Sequence, residues 1–141
     1  MQWLARREYG RWELARKLAG KGLARDDIEQ ALDELTEEGV LSDARLVESV
    51  ARGHYAKGHG PMRIRLALRE KGASRESLEE CLAQYDWDEL LERVYRKKYA
   101  EPTPAAAEYA ARARFLLQRG FSQDSINALF RRLRRNDDSD L

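Results

Sequence analysis

Apolar residues recur along this chain at helical spacing, in short groups divided by glycine and opened by serine, threonine or aspartate. Leu46, Val47, Val50 and Tyr55 fall on one face of a helix that Ser42 and Asp43 cap and charge at its first turn, and Gly58-His59-Gly60 ends it. Pro61 suits the first turn of the next helix, where its missing N–H is no loss, and Ile64, Leu66 and Leu68 precede Gly72. Ser74 then caps a helix carrying Leu78, Cys81 and Leu82. The same grammar fits the C-terminal third. Trp87, Leu90, Leu91, Val94 and Tyr95 lie on one helix, Thr103 caps Pro104 at the start of a second that runs to Gly120, and Ser122 opens a last helix with Ile126, Leu129, Phe130 and Leu133. At the N-terminus, Trp3 to Tyr9 leaves room for only a short leading helix. A second helix runs from about Gly10 to Lys21, and a third from Asp26 to about Glu38. No stretch alternates β-branched and polar residues as a strand would.

Three copies of one unit underlie this grammar: leucine, two residues, a basic residue and glycine, then apolar residues six and ten positions after the glycine. They are Leu18 to Gly22 with Ile28 and Leu32, Leu68 to Gly72 with Leu78 and Leu82, and Leu116 to Gly120 with Ile126 and Phe130. The glycines are 50 and 48 residues apart, which marks a tandem array. The expected fold class is therefore all-α, an elongated tandem array of three-helix, helix-turn-helix-like repeats. Its divisions are 1–40, 41–85 and 86–135, followed by an acidic frayed tail at 136–141. The short leading helix suggests a truncated first unit or a missing N-terminal segment. Such arrays present extended surfaces and rarely enclose one deep catalytic pocket.

Composition narrows the class. Charged residues make up 36% of the chain and the apolar stretches are short, so no membrane span or secretory segment is expected and the reading is a soluble cytoplasmic protein. Cys81 is the one cysteine and occupies the register of Ala31, a buried, unreactive helix position. The formal net charge of +1 hides segregation: +5 over residues 1–25, −8 over 26–50, +6 over 51–75, −3 over 76–100 and +1 over 101–141. Basic elements repeated along an array suit an anionic polymer.

The second helix of each repeat carries the basic residues: Arg11, Arg16, Lys17 and Lys21; Arg63, Arg65, Arg69 and Lys71; Arg112, Arg114 and Arg119. Arg25 and Arg75 follow the turns. A solvated face that adds i, i+4 pairs would look similar in one repeat, whereas recurrence at the same place in three favours binding. The candidate contacts are Lys21, Arg25, Arg63, Arg65, Arg69, Lys71, Arg75, Arg114 and Arg119. Binding of this kind runs through phosphates, with weak sequence preference and steep salt dependence. The third helices are poor recognition helices, because Asp26, Asp27, Glu29, Asp33 and Glu34, or Glu76, Glu79 and Glu80, would repel phosphates. Aromatic residues such as Tyr95, Phe121 and Phe130 sit at helical spacing and read as core before they read as a base-stacking platform; Trp12, beside Arg11, is less settled.

Catalysis finds no foothold. His54 and His59 straddle a helix end and read as surface residues, although His59 in its glycine-rich hinge could meet a phosphate. With Cys81 they make no zinc-type spacing. Gly58-His59-Gly60 lacks the glycine spacing and Lys-Ser/Thr of a P-loop, and acidic pairs such as Asp26-Asp27 are expected helix first-turn charges. No enzyme activity, cofactor, metal or small-molecule substrate is expected.

Asp43-Ala44-Arg45, Gly58 to Ile64 and Leu68 to Gly72 together resemble the central signature of the RecX family. Arg114 to Ser122 resembles its C-terminal signature, and Leu14 to Gly22 with Ile28, Glu29 and Leu32 its N-terminal one. Leu46-Val47 stands where the family often has Phe-Ala, which keeps the helix face apolar. The resemblance implies a negative regulator of the RecA recombinase that binds the RecA–DNA filament and limits its extension, ATPase, strand exchange and coprotease action. The partners so implied are the RecA filament and single-stranded, with double-stranded, DNA, and no membrane. A stand-alone nucleic-acid-binding repeat module and a purely protein-binding scaffold remain alternative readings of the residues themselves.

Overall fold

The computed structural model describes residues 10–39 and 41–139, and among these no strand occurs. The helices, in order, are α1 (Arg11–Gly20), α2 (Arg25–Glu37), α3 (Asp43–Ala56), α4 (Pro61–Glu70), α5 (Arg75–Leu82), α6 (Trp87–Lys98), α7 (Tyr109–Gln118) and α8 (Gln123–Ser139), with a 3₁₀ turn at Ala106–Glu108 before α7. The leading helix expected over Trp3 to Tyr9 lies outside the described residues.

The threefold leucine-basic-glycine unit is a helix stop built on backbone hydrogen bonds. After α1, Gly22 N–H donates to the Ala19 carbonyl at 3.0 Å and Leu23 N–H to the Leu18 carbonyl at 3.4 Å. Gly72 and Ala73 repeat this on Arg69 and Leu68, and Gly120 and Phe121 on Leu117 and Leu116. This double return satisfies the last carbonyls of each helix and requires a left-handed residue. The three glycines have φ of 87°, 71° and 100°. The residues six and ten positions on, Ile28, Leu32, Leu78, Leu82, Ile126 and Phe130, are all buried.

Helix starts follow the expected caps with one exception. Ser42, Ser74 and Ser122 hydroxyls each accept the backbone N–H three residues on, at 3.1–3.2 Å. Thr103 does not open α7, which begins at Tyr109. Pro102 and Pro104 hold the intervening residue out of the helical region, and the 3₁₀ turn supplies the entry instead, with Glu108 accepting the Ala105 N–H at 3.1 Å. At the other end α8 continues through Asn136, Asp137 and Asp138 to Ser139, beyond the expected repeat end at 135.

The chain forms two compact units. Unit 1 is residues 1–52 with 65–84, and unit 2 is residues 53–64 with 85–141, so the division falls within α3 and α4. In unit 1, Leu14 of α1 packs with Ile28, Leu32 and Leu35 of α2 and with Leu41. In unit 2, Leu90, Leu91 and Tyr95 of α6 pack with Leu116, Phe121, Ile126, Leu129, Phe130 and Leu133. Tyr95, Phe121 and Phe130 are thus core residues. Cys81 is half-buried, and burial, then the Glu48 charge, pushes its thiol pKa up, away from reactivity.

Candidate nucleic-acid interface

Two joints, one in each unit, position the basic residues. In unit 1 the start of α1 lies on the α4 stop. A Cβ added at Gly10 would meet Leu46 Cδ2 at 2.8 Å and Asp43 Oδ1 at 3.1 Å, and one at Gly72 would meet the Trp12 ring at 2.4 Å. Asp43 ties this joint together: its carboxylate accepts the Arg11 N–H at 3.0 Å and the Ser74 N–H at 3.3 Å, so it neutralises the N-termini of α1 and α5. In unit 2 the start of α4 lies on the α7 stop. Gly60 N–H donates to the Arg119 carbonyl at 2.7 Å and Met62 N–H to the Gly120 carbonyl at 2.9 Å. A Cβ at Gly60 would stand 2.5 Å from the Gly120 oxygen, and one at Gly120 would stand 2.7 Å from Arg63 Cγ. Gly22, by contrast, has no described atom within 4 Å of its would-be Cβ, so it serves backbone conformation alone.

The glycine-rich loop is part of the second joint. His59 is buried at 9% exposure, where a surface residue was expected, because the loop must pack against the α7 stop. Arg63 Nη1 lies 3.3 Å from His59 Nε2, and His54 and His59 Nδ1 are 2.8 Å apart. Arginine can only donate, so His59 is neutral, accepts at Nε2 and donates from Nδ1 to His54. Burial first, then the Arg63, His54, Arg119 and Lys57 charges, lower the His59 pKa to about 4.

The candidate contacts separate into engaged and exposed groups. Arg65 forms a forked pair with Glu79 at 3.1 and 3.2 Å, which lowers the Glu79 pKa. Lys71 meets Glu13 at 3.4 Å, both largely covered. Arg119 is half-buried and donates to the Lys57 carbonyl at 3.2 Å. Arg63 is engaged with His59. Lys21, Arg25, Arg69, Arg75 and Arg114 are exposed. Among the other basic residues of the second helices, Arg11 is bound by Glu29 at 3.0 Å and Asp33 at 2.7 Å. Arg16 lies over the exposed Trp12 ring, 4.6 Å from its centroid.

Arg112 departs from the expected exposed face. It is buried, donating to Tyr95 Oη at 2.8 Å, the Glu101 carbonyl at 2.7 Å and Glu108 at 3.2 Å, while Tyr95 Oη also bonds the Pro102 carbonyl. The proline-interrupted connection leaves carbonyls facing inward; Arg112 satisfies that of Glu101, and the Tyr95 hydroxyl that of Pro102. Sequence reasoning also passed over cations outside the second helices. Lys57, Arg93, Lys97 and Lys98 join Arg119 around a concavity of about 440 Å³ in unit 2. The run Arg96-Lys97-Lys98 in the last turn of α6 was its only visible signal.

Three family models cover the chain in order: the first three-helix domain of RecX over residues 1–35, the second over 42–82 and the third over 84–138. The chain belongs to the RecX family. The regulatory protein RecX of Pseudomonas fluorescens strain Pf-5 is 46% identical over 132 residues, covering 92% of this chain and 85% of that protein. That of Ectopseudomonas mendocina is 44% identical over 134 residues, covering 93% and 89%. The crystal structure of RecX from Lactobacillus salivarius shares the fold at a TM-score of 0.78 and 23% identity, over 94% of this chain and 90% of that one. The RecX relatives are named regulatory proteins, and no described helix here is long and apolar enough to cross a membrane.

Proposed function

We propose that this protein is a non-enzymatic negative regulator of the RecA recombinase, acting in the cytoplasm in recombinational DNA repair and the SOS response. It binds the RecA–DNA filament and limits filament extension, ATP hydrolysis, strand exchange and coprotease action. The observation that carries this reading is the near full-length match to proteins named regulatory protein RecX, with all three domain models in order. The exposed cations are compatible with it: Lys21, Arg25, Arg69 and Arg75 in unit 1, and Arg114 in unit 2, lie at the surface where an anionic partner can reach them. Several such contacts on one chain add through effective concentration rather than through one deep pocket. Arg65 and Lys71 contribute chiefly by holding the repeats. The three-repeat division, with borders near 40 and 85, is the proposed unit of this binding.

The test follows RecA filament assembly on single-stranded DNA by electron microscopy while this protein is added. Wild type shortens filaments, and an R25E/R69E/R75E/R114E variant of unchanged helicity does so at least tenfold less effectively. Filaments of unchanged length with the wild-type protein would overturn the reading. Salt-sensitive DNA binding without that effect would favour the stand-alone nucleic-acid module.

A further inference from the structure

We propose that the concavity in unit 2 is a cleft for a short segment of single-stranded DNA, with bases against Tyr55 and Phe115 and phosphates on the surrounding lysines and arginines. The inference deepens the DNA-directed part of the function above, on which it rests, by assigning a site to it.

The cleft is formed by the end of α3 and its glycine turn, by α6, and by the last turn of α7. Arg93 and Lys97 stand one helical turn apart on α6 and so share a wall, with Lys98 beside them. Lys57 and Arg119 complete the cation set. The hydrogen bond from Arg119 to the Lys57 carbonyl fixes that guanidinium at the rim without neutralising it. Among the described residues no carboxylate lines the cleft. The acids of α6, Asp88, Glu89 and Glu92, line a separate concavity instead, which Arg93 also borders. The charge of this corner is felt next door. The Lys57 and Arg119 charges are among the causes that keep His59 neutral.

Rings alternate with these cations. The Phe115 centroid lies 5.1 Å from Lys98 Nζ and 5.4 Å from Arg119 Cζ. Tyr55 lies 5.6 Å from Arg93 Cζ and accepts a hydrogen bond from Arg93 at its hydroxyl, 3.3 Å. Both rings are half-buried, and Leu90 and Val94 give an apolar floor. A single strand offers a matching alternation of charged phosphate and flat, uncharged base, and flanking cations track its backbone while rings take its bases. An acidic peptide would use the cations and leave the rings idle. Duplex DNA keeps its bases stacked inside and would not reach the floor.

The experiment measures anisotropy of a fluorescein-labelled 15-mer of thymidine, and of an abasic 15-mer, with the full chain at several salt concentrations and no RecA present. For K57Q/K97Q/K98Q, Kd for the thymidine strand rises about tenfold, and the slope of log K against log salt falls by about two, near 0.7 for each phosphate no longer neutralised. F115L raises Kd about fivefold for the thymidine strand and leaves the abasic strand unchanged, because one base then has no ring to stack on. Circular dichroism confirms that both variants keep wild-type helicity; F115L keeps a bulky apolar side chain, so it stands as the second test should the triple variant not fold. The inference is overturned if both variants bind the thymidine strand as wild type does. It is equally overturned if polyglutamate displaces that strand at lower concentration than unlabelled thymidine strand does, with F115L indifferent, which would assign the cleft to an acidic protein segment. Filament shortening with cleft-independent strand binding would sink the cleft alone. Cleft-dependent binding without any effect on RecA would sink the regulatory reading alone.

Discussion

The two joints occupy the same place in successive repeats and are held by different chemistry. In the first, a carboxylate does the capping: Asp43 receives the N–H groups of Arg11 and Ser74, Lys71 is paired with Glu13, and Arg11 with Glu29 and Asp33. In the second, backbone carbonyls of Arg119 and Gly120 receive the N–H groups of Gly60 and Met62. Neutral imidazoles fill the space, and among the described residues no carboxylate lines the cleft that Lys57 and Arg119 border. Close approach of two backbones is common to both, since Gly10, Gly60, Gly72 and Gly120 all lack room for a Cβ. Steric demands are therefore repeated with the sequence, while charge compensation is not. The number of basic residues in a repeat does not measure how many are available; the acids of the adjoining helix decide that.

The largest expected effects break a joint outright. Gly60→Ala forces a methyl against the Gly120 carbonyl, which neither backbone can yield cheaply, and should cost about 3 kcal/mol, read as a lowered denaturation midpoint. Gly22→Ala, in open space, should cost only the left-handed backbone penalty of about 1 kcal/mol. Equal losses at the two sites would refute the distinction between close approach and mere helix stopping.

Next in size is Arg112→Met, expected to destabilise by about 2 kcal/mol by leaving the Tyr95 hydroxyl and the Glu101 carbonyl short of a donor. A salt-dependent loss of DNA binding at unchanged stability would instead return Arg112 to the binding face where the sequence had suggested it.

A smaller effect sharpens the electrostatic contrast. Replacing Lys71 by Gln removes a cation already neutralised by Glu13, so single-strand affinity should change less than twofold while stability falls by under about 1 kcal/mol. A loss as large as that expected from the unit 2 cleft would mean that paired and unpaired cations contribute alike.

An effect confined to acid conditions concerns His59. His59 is held neutral when folded, with a pKa of about 4, against about 6.5 when unfolded. The unfolded chain therefore binds the extra proton between these values. The stabilisation is complete above about pH 6.5 and is lost as pH falls toward 4. Melting temperature should fall over that interval, and less so in His59→Gln. The His54 pKa is lowered in the same direction, chiefly by burial, and leaves a residual slope.

Much of the fold was legible because its determinants are local. Leucine four residues before a glycine specified the helix stops, and serine caps with apolar residues six and ten positions on specified the following helices. What was not legible depends on partners distant in sequence. Thr103 has the chemistry of a cap, but flanking prolines forbid the geometry. Arg112 has the spacing of an exposed residue, yet carbonyls in the proline-bearing connection draw it inward. His59 read as a surface hinge until the α7 stop was placed against it. The exposed members of the candidate set, Lys21, Arg25, Arg69, Arg75 and Arg114, were singled out by repetition. The cleft was passed over because its cations come from one helix and from the turns that follow two others, none of which is basic along its whole length.

The most direct test of the account is the rate of DNA-dependent ATP hydrolysis by RecA as this protein is added at ratios well below one per RecA subunit. The account predicts that the rate falls steeply before stoichiometric amounts are reached, and that the fall is blunted in the R25E/R69E/R75E/R114E variant. A rate that stays constant up to saturation of the DNA by this protein would contradict it.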